Sequence, residues 1–350
     1  VTLPLAASVT EAMHRAVEEQ GHKDTFHGYI PSEQGYEFLR DAIRSYYADH
    51  GVALDMSEIF VSDGAKSDLG NLLDLFSQDN TILVPDPVYP VYMDSNLMSG
   101  RHIRLMPSTQ ENGFLPMPDN TDKKPYVIYL CSPNNPTGAI LTREDLEGLA
   151  AVLRETDALI LSDEIYAELT YGTRHVSIAS LPDMRERTLL VSGFSKAYAM
   201  TGWRLGYLAA PGAMIHEIFK IHQYGIMCAP TTAQFGAIEA MQNGDGDVEE
   251  MVAEYDRRRK YLVHKLRDLG LPCFEPKGAF YVFPNISGFG MTSEQFCEKL
   301  LYDYGVAIVP GTAFGACGEG FARVSYAYSV RHLDRALERI AKMIDDCRGH

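Results

Sequence analysis

Val191-Ser192-Gly193-Phe194-Ser195-Lys196-Ala197-Tyr198-Ala199-Met200-Thr201-Gly202-Trp203-Arg204-Leu205-Gly206-Tyr207 is the stretch on which the reading of this chain turns. The apolar run over 188–192 reads as a strand, after which small residues turn the chain and present a lysine, with an arginine further along. A lysine held partly out of water sheds its proton more easily and can attack an aldehyde. An arginine offers a planar fork that grips a phosphate through paired hydrogen bonds. Taken singly, Lys196 reads as a solvated surface side chain. Gly193, Ser195, Gly202, Trp203 and Arg204 around it point instead to a built pocket.

Outward from that stretch, short runs rich in β-branched residues alternate with longer amphipathic segments, the pattern of a mainly parallel sheet with helices on both faces. Strands are predicted at 59–62, 81–84, 126–131, 158–161, 188–192 and 205–209, and helices at 67–76, 141–154 and 213–222. Past about residue 240 the texture changes: 248–269 reads as a long charged helix able to bridge two domains. A strand-like run at 278–284, a segment at 307–311, a strand at 321–326 and a helix at 332–347 follow. The expected fold class is α/β, a mainly parallel sheet sandwiched by helices plus a smaller α+β domain. The large domain is expected at 21–245, and the smaller one at 1–20 and 246–350.

Composition narrows the class. The chain has 350 residues, 46% of them hydrophobic and 22% charged, which suits a soluble globular protein of about two domains. A formal net charge of -16 argues against nucleic acid or an anionic membrane as the main partner. Cys131, Cys228, Cys273, Cys297, Cys317 and Cys347 are scattered, so reduced thiols are expected and no metal site is. With no long apolar span and no signal peptide, a cytoplasmic location is expected. The chain opens at Val1 rather than at a methionine, so a leading segment ahead of it is expected.

An aldehyde together with a phosphate describes pyridoxal 5'-phosphate. That molecule needs a phosphate cup, a lysine, an acid for its pyridine nitrogen and a donor for its phenolic oxygen. Candidates for each stand in loops after predicted strands, where open parallel sheets place ligands. In Asp63-Gly64-Ala65-Lys66, Gly64, Ala65 and Lys66 open a helix whose free N–H groups favour an anion, with Ser195 and Arg204 adding a hydroxyl and a cation. No glycine-rich nucleotide motif competes for that part. Asp163, in Leu161-Ser162-Asp163-Glu164-Ile165-Tyr166, reads either as a helix cap or as the partner of a protonated ring nitrogen. A buried carboxylate without a cation would be costly. Tyr166 is placed to donate to the phenolic oxygen. Asn135, in Ser132-Pro133-Asn134-Asn135-Pro136-Thr137-Gly138, reads by itself as part of a turn and, beside the others, as a second donor to that oxygen. Tyr89 reads as a core aromatic or as a ring stacked on the pyridine face. Arg323, alternating with apolar neighbours on a strand, reads as a structural ion pair or as a fork for an α-carboxylate.

These elements, in this order over nearly the whole chain, resemble those of the class I/II aminotransferases that use pyridoxal phosphate, fold type I. The resemblance implies a homodimer with shared active sites and a covalent link from Lys196 to the cofactor. It also implies a ping-pong exchange between an amino acid and a 2-oxo acid, with Lys196 as acid and base. Tyr29, in His27-Gly28-Tyr29-Ile30-Pro31, matches the tyrosine such enzymes send to the neighbouring subunit's phosphate. The segments 1–5, 28–39 and 60–68 resemble LL-diaminopimelate aminotransferases, which implies that donor with 2-oxoglutarate and a place in lysine biosynthesis. In that branch a loop glutamate crosses the dimer to the substrate, and Glu33 stands at the matching place beside the substrate candidates Arg323 and Asn135. Residues 224–230 depart from the branch by lacking its asparagine. An aromatic, aspartate or alanine aminotransferase or a C–S lyase stays open as an alternative, as does a non-catalytic cofactor-binding regulatory module.

Overall fold

A computed structural model describes residues 3–24, 28–30, 32–118 and 126–348; Val1, Thr2, His27 and Pro31, quoted above within motifs, lie outside them. Among the described residues seven strands form one sheet. Its order is β1 (Ile59–Ser62), β7 (Gly206–Ala209), β6 (Thr188–Gly193), β5 (Leu159–Asp163), β4 (Tyr126–Cys131), β2 (Thr81–Asp86) and β3 (His102–Pro107). β7 runs antiparallel to both of its neighbours, and every other pairing is parallel. β4 and β6 are buried at every position, as strands covered on both faces must be.

The period-2 alternation of the strands sends side chains into two cores. Ile59 and Val61 of β1 and Leu190 of β6 face the helices α1 (Ala7–Gln20), α2 (Glu37–Asp49) and α7 (Thr231–Asn243), through Met13, Leu39 and Ala233. Phe60, Leu189 and Val191 point the other way, toward Leu72 of α3 (Ala65–Leu75), Tyr92 of α4 (Val91–Met98) and Ile218 of α6 (Gly212–Gly225). Leu146, Leu149 and Leu153 of α5 (Arg143–Arg154) cover Ile128 and Ile160. α5 starts at a capping box in which Thr142 accepts from the Asp145 N–H at 3.2 Å.

The smaller core gathers α8 (Asp245–Asp268), α9 (Ser293–Tyr304), α10 (Val330–Arg348) and an antiparallel sheet of β8 (Tyr281–Val282), β10 (Ala322–Ser325) and β9 (Val309–Pro310). Leu333, Leu337, Ile340 and Ile344 make the buried stripe of α10. α1 lays Val9 and Met13 against the core of the large sheet, and Gly236 of α7 leaves the room that Met13 fills. Leu3, just ahead of α1, packs against the smaller core.

The predicted strands and helices recur with shifted ends. The helix expected from 67 begins at Ala65, because Gly64, with φ 130, releases the chain from β1 directly into the first turn. β2 continues to Asp86 through Pro85, which is tolerated because β4 pairs only as far as Leu83 and leaves one side free. The run 278–284 forms a ladder only at Tyr281–Val282. Helices α1, α2, α4, α7 and α9 and strand β3 are additional to those predicted.

Register carries the functional consequence. Cys131 lies opposite Asp163, Asp163 opposite Val191, Gly193 opposite Gly206 and Gly206 opposite Ser62. The loops after β1, β4, β5 and β6, and the one before β7, therefore emerge side by side at one edge. Gly206 makes their approach possible: a Cβ there would lie 2.5 Å from the Ala65 nitrogen and 2.7 Å from the Gly64 carbonyl carbon. Backbone cannot yield as a flexible side chain can, so Gly206→Ala is expected to cost about 1–3 kcal/mol of stability. A denaturant midpoint equal to that of the unaltered protein would show that the two loops are not in register as described.

Candidate active site

β5 ends in two carboxylates with different surroundings. Glu164 faces away from the loop edge: Ser162 Oγ donates to it at 3.1 Å and His175 Nε2 lies 3.4 Å from it, which holds its pKa below the usual range despite burial. Asp163 faces the loops. Tyr92 Oη donates to Asp163 Oδ2 at 2.6 Å and the Ile165 N–H donates to Oδ1 at 3.1 Å. Burial raises the Asp163 pKa, opposed by those two donors and by the Lys196 amine. The Ile165 bond is the local cap the sequence allowed for. It leaves the carboxylate still short of the cation that would relieve its burial.

Lys196 follows β6 by way of Phe194, whose fully buried ring anchors the turn. Its Nζ lies 5.8 Å from the centre of the Tyr166 ring and 5.7 Å from that of Phe280. Burial depresses the amine's pKa; Asp163 opposes this, and Arg204 and Arg323 reinforce it. An amine with a lowered pKa is the form that acts as nucleophile or base near neutrality. Beside it, the buried Tyr166 hydroxyl lies 3.1 Å from that of Tyr281, and its pKa is pushed well up, so it stays a protonated donor.

Arg323 meets no carboxylate among the described residues. Its Nη1 donates to Asn135 Oδ1 at 2.8 Å, and its guanidinium carbon lies 4.4 Å from the Tyr281 ring and 4.7 Å from that of Phe314. The rings hold the cation by its faces and leave its in-plane donors for a ligand. The bond to Asn135 also fixes that amide, so its Nδ2 group is left to donate elsewhere.

The cup forms where α3 begins. The Ser67 and Asp68 N–H groups return to the Gly64 carbonyl at 2.9 and 3.3 Å, while those of Ala65 and Lys66 head the helix, where a helix has no partner of its own to offer. Arg204 turns into this space through a left-handed backbone (φ 52), and its Nη1 donates to the Thr201 carbonyl at 3.0 Å. A Cβ on Gly64 would stand 2.7 Å from Arg204 Nη2, so the glycine is what admits the cation. Thr201 Oγ1 donates to the Ser195 carbonyl at 2.7 Å, tying the arginine turn to the lysine loop. Beneath the cup Ser62 Oγ donates to Asp68 Oδ2 at 2.6 Å, and burial pushes the Asp68 carboxyl up to about 8.

One cavity of about 350 Å³ collects these groups. Ala65, Lys66, Ser195 and Arg204 line its cup end; Tyr89, Asp163, Tyr166 and Lys196 its middle; Asn135 and Arg323 the side toward the smaller sheet. Gly64 backs the cup without lining the cavity. Tyr29, 71% exposed, and Glu33, which accepts from Gln223 Nε2, lie outside it. The sequence reading passed over Tyr92, Tyr281, Thr201 and Cys131, all in the lining. The one available signal was the spacing Tyr89-Pro90-Val91-Tyr92, which sets two tyrosines on one face at the start of a helix. The donor set fits a phosphorylated pyridine aldehyde: a weakly basic amine, a buried acid lacking its cation, a phenol and an amide, and a cup with arginine and free N–H groups.

Comparison with known proteins gives a consistent picture. A family model described as aminotransferase class I and II matches residues 3–340. An aspartate aminotransferase of Pyrococcus abyssi is 41% identical over 82% of this chain and 76% of its own length. An LL-diaminopimelate aminotransferase of Parabacteroides distasonis is 37% identical over 98% of this chain and 88% of its own. The crystal structure of an aromatic aminotransferase from Pyrococcus horikoshii superposes with a TM-score of 0.92 at 36% identity, covering 99% of this chain and 94% of that one.

Asp68 allows a test of the cup without any ligand. Unfolded, its carboxyl ionises near the ordinary 3.8; folded, it holds its proton to about 8. The native state thus carries the extra proton in between, so this group's contribution to stability falls as pH rises through that window. Asp68→Asn removes the slope, and its urea midpoint is expected to gain on the unaltered protein from about pH 4 to about pH 8. Parallel midpoint curves would contradict the burial of this carboxyl.

Proposed function

The chain belongs to the class I and II aminotransferase family, and from that premise we propose that Lys196, Asp163 and Arg323 carry an exchange of amino groups between an L-amino acid and a 2-oxo acid. It is an enzyme dependent on pyridoxal 5'-phosphate, as its family is. The observation that carries the assignment of roles is the meeting of these three side chains in one cavity.

The bound cofactor supplies an aldehyde that captures amines and a ring that draws electrons from the substrate's α-carbon. Lys196 would hold it through its side-chain amine. The Lys196 amine, its pKa lowered by burial, would take the proton from the substrate's α-carbon and return one. Asp163 pairs with the ring nitrogen, and Tyr166 and Asn135 donate to the phenolic oxygen. Ala65, Lys66, Ser195 and Arg204 grip the phosphate, with Gly64 making room for the arginine. Tyr89 covers the ring face. Arg323, aligned by Asn135, takes the α-carboxylate.

We place the reaction in a homodimer in which Tyr29 serves the phosphate, and Glu33 the substrate, of the second copy; the exposure of Tyr29 outside its own cavity supports this. The six cysteines are free thiols, which accords with the cytoplasm. For the donor we propose LL-diaminopimelate with 2-oxoglutarate as acceptor, a step of lysine biosynthesis, on the likeness of residues 28–39 and 60–68 and of the relative bearing that name. The relatives named for aspartate and for aromatic amino acids favour those donors as the second reading.

A spectral half-reaction screen separates them. LL-diaminopimelate is expected to convert the bound cofactor to its amine form with release of a 2-oxo acid. Conversion by aspartate or aromatic donors alone would replace the first donor with the second reading, and pyruvate with ammonia would signal elimination instead. Arg323→Ala is expected to raise KM for any converted donor about 10²-fold or more while the cofactor stays bound. An unchanged KM would remove Arg323 from the carboxylate site.

A further inference from the structure

We infer that Tyr92 is a positioning residue for this reaction, its hydroxyl holding the Asp163 carboxylate in the ionised form that leaves the shared proton on the cofactor's ring nitrogen. The inference rests on the pairing of Asp163 with that nitrogen proposed above.

Tyr92 stands in the first turn of α4 with its ring 1% exposed, meeting Tyr89 edge-on at 5.7 Å and Tyr129 at 5.4 Å. One turn on, Asn96 Nδ2 donates to the Tyr92 carbonyl at 2.8 Å and to Tyr129 Oη at 3.3 Å, which ties the helix to β4 and fixes the direction of the Tyr92 ring. The hydroxyl so fixed donates to Asp163 Oδ2 at 2.6 Å. Cys131, opposite Asp163 in the sheet, interacts with the same hydroxyl. Burial pushes the thiol up to about 12 and raises the phenol well above its ordinary range, so both stay protonated; the thiol donates to the Pro133 carbonyl at 3.5 Å while the phenol's proton goes to the carboxylate.

A packing role needs only the ring: phenylalanine would fill the same space between Tyr89 and Tyr129. The hydroxyl is the informative atom, because it ends on a buried carboxylate that faces the cavity. A carboxylate that accepts a strong hydrogen bond is the weaker base. Without the Tyr92 donor, Asp163 would compete better for the proton it shares with the ring nitrogen; the ring would lose positive charge and draw electrons less well. No other atom needs to move.

The test reads the nitrogen directly. Wild-type, Tyr92→Phe and Asp163→Asn holoenzymes are prepared with cofactor carrying nitrogen-15 in the ring, and its chemical shift is recorded at neutral pH, with melting temperature as the check on folding. The unaltered enzyme is expected to give the pyridinium shift. Y92F should move toward neutral pyridine, with kcat about tenfold lower and KM for the amino donor within about twofold. D163N should move at least as far. If D163N moves the signal and Y92F leaves it at the wild-type value, Tyr92 only packs and the inference is overturned. If D163N leaves it unmoved as well, the proposed role of Asp163 is wrong and the inference falls with it. An equal loss of kcat in Y92F without a change in shift would likewise assign the effect to packing.

Discussion

A carboxylate and an amine, each taken out of water at the edge of one sheet, are the constraint from which the rest of this structure follows. Burial raises the basicity of Asp163 and lowers that of Lys196, so each is driven toward its neutral form. Alone, such a pair would be a liability of several kcal/mol per uncompensated charge. Tyr92 and the Ile165 N–H partly compensate the acid, while Arg204 and Arg323 add to the burial that lowers the amine's pKa. The strain of this arrangement is what a cationic ring and an aldehyde would relieve, and it explains why the site is built on strands rather than on free loops.

The sheet provides the rigidity by register rather than by any single contact. Gly206 has Gly193 on one side and Ser62 on the other, so the lysine loop, the arginine turn and the helix start are fixed relative to one another by three neighbouring strands. Two glycines then permit what larger residues would block: Gly206 the approach of the backbones, Gly64 the entry of the Arg204 guanidinium. The smaller body adds Arg323 and Tyr281 from its short ladder, and the bond from Arg323 to Asn135 joins the two bodies across the cavity.

The large sheet was legible because its strands are buried on both faces and so read as unbroken apolar runs; 59–62 and 126–131 were recovered to the residue. Helix α1 was less so: Val9 and Met13 pack on α7, and no local pattern encodes a tertiary neighbour. The 278–284 run has strand-like composition, yet only Tyr281 and Val282 form a ladder, because β10 meets it over two residues, while Gly278 and Pro284 make isolated bridges to Thr170 and Cys273. Within the site, the residues visible in advance were those whose chemistry is unusual for a loop: a lysine among small residues, a carboxylate closing an apolar strand, an arginine alternating with apolar side chains. Tyr92 and Tyr281 stayed hidden because a tyrosine near apolar neighbours is ordinary core material until its hydroxyl is seen to end on a carboxylate or on another phenol.

Lys66 shares the cavity with Lys196 but is solvent-exposed at the head of α3, so the two amines differ in environment more than in position. The most direct measurement is therefore to reduce the cofactor-loaded enzyme with borohydride, digest it and locate the retained pyridoxyl phosphate by peptide mass spectrometry. The expected result is a single modified peptide carrying the mass increment on Lys196. Its appearance on Lys66 or another lysine, or on none, would contradict the assignment of the buried amine as the cofactor's anchor.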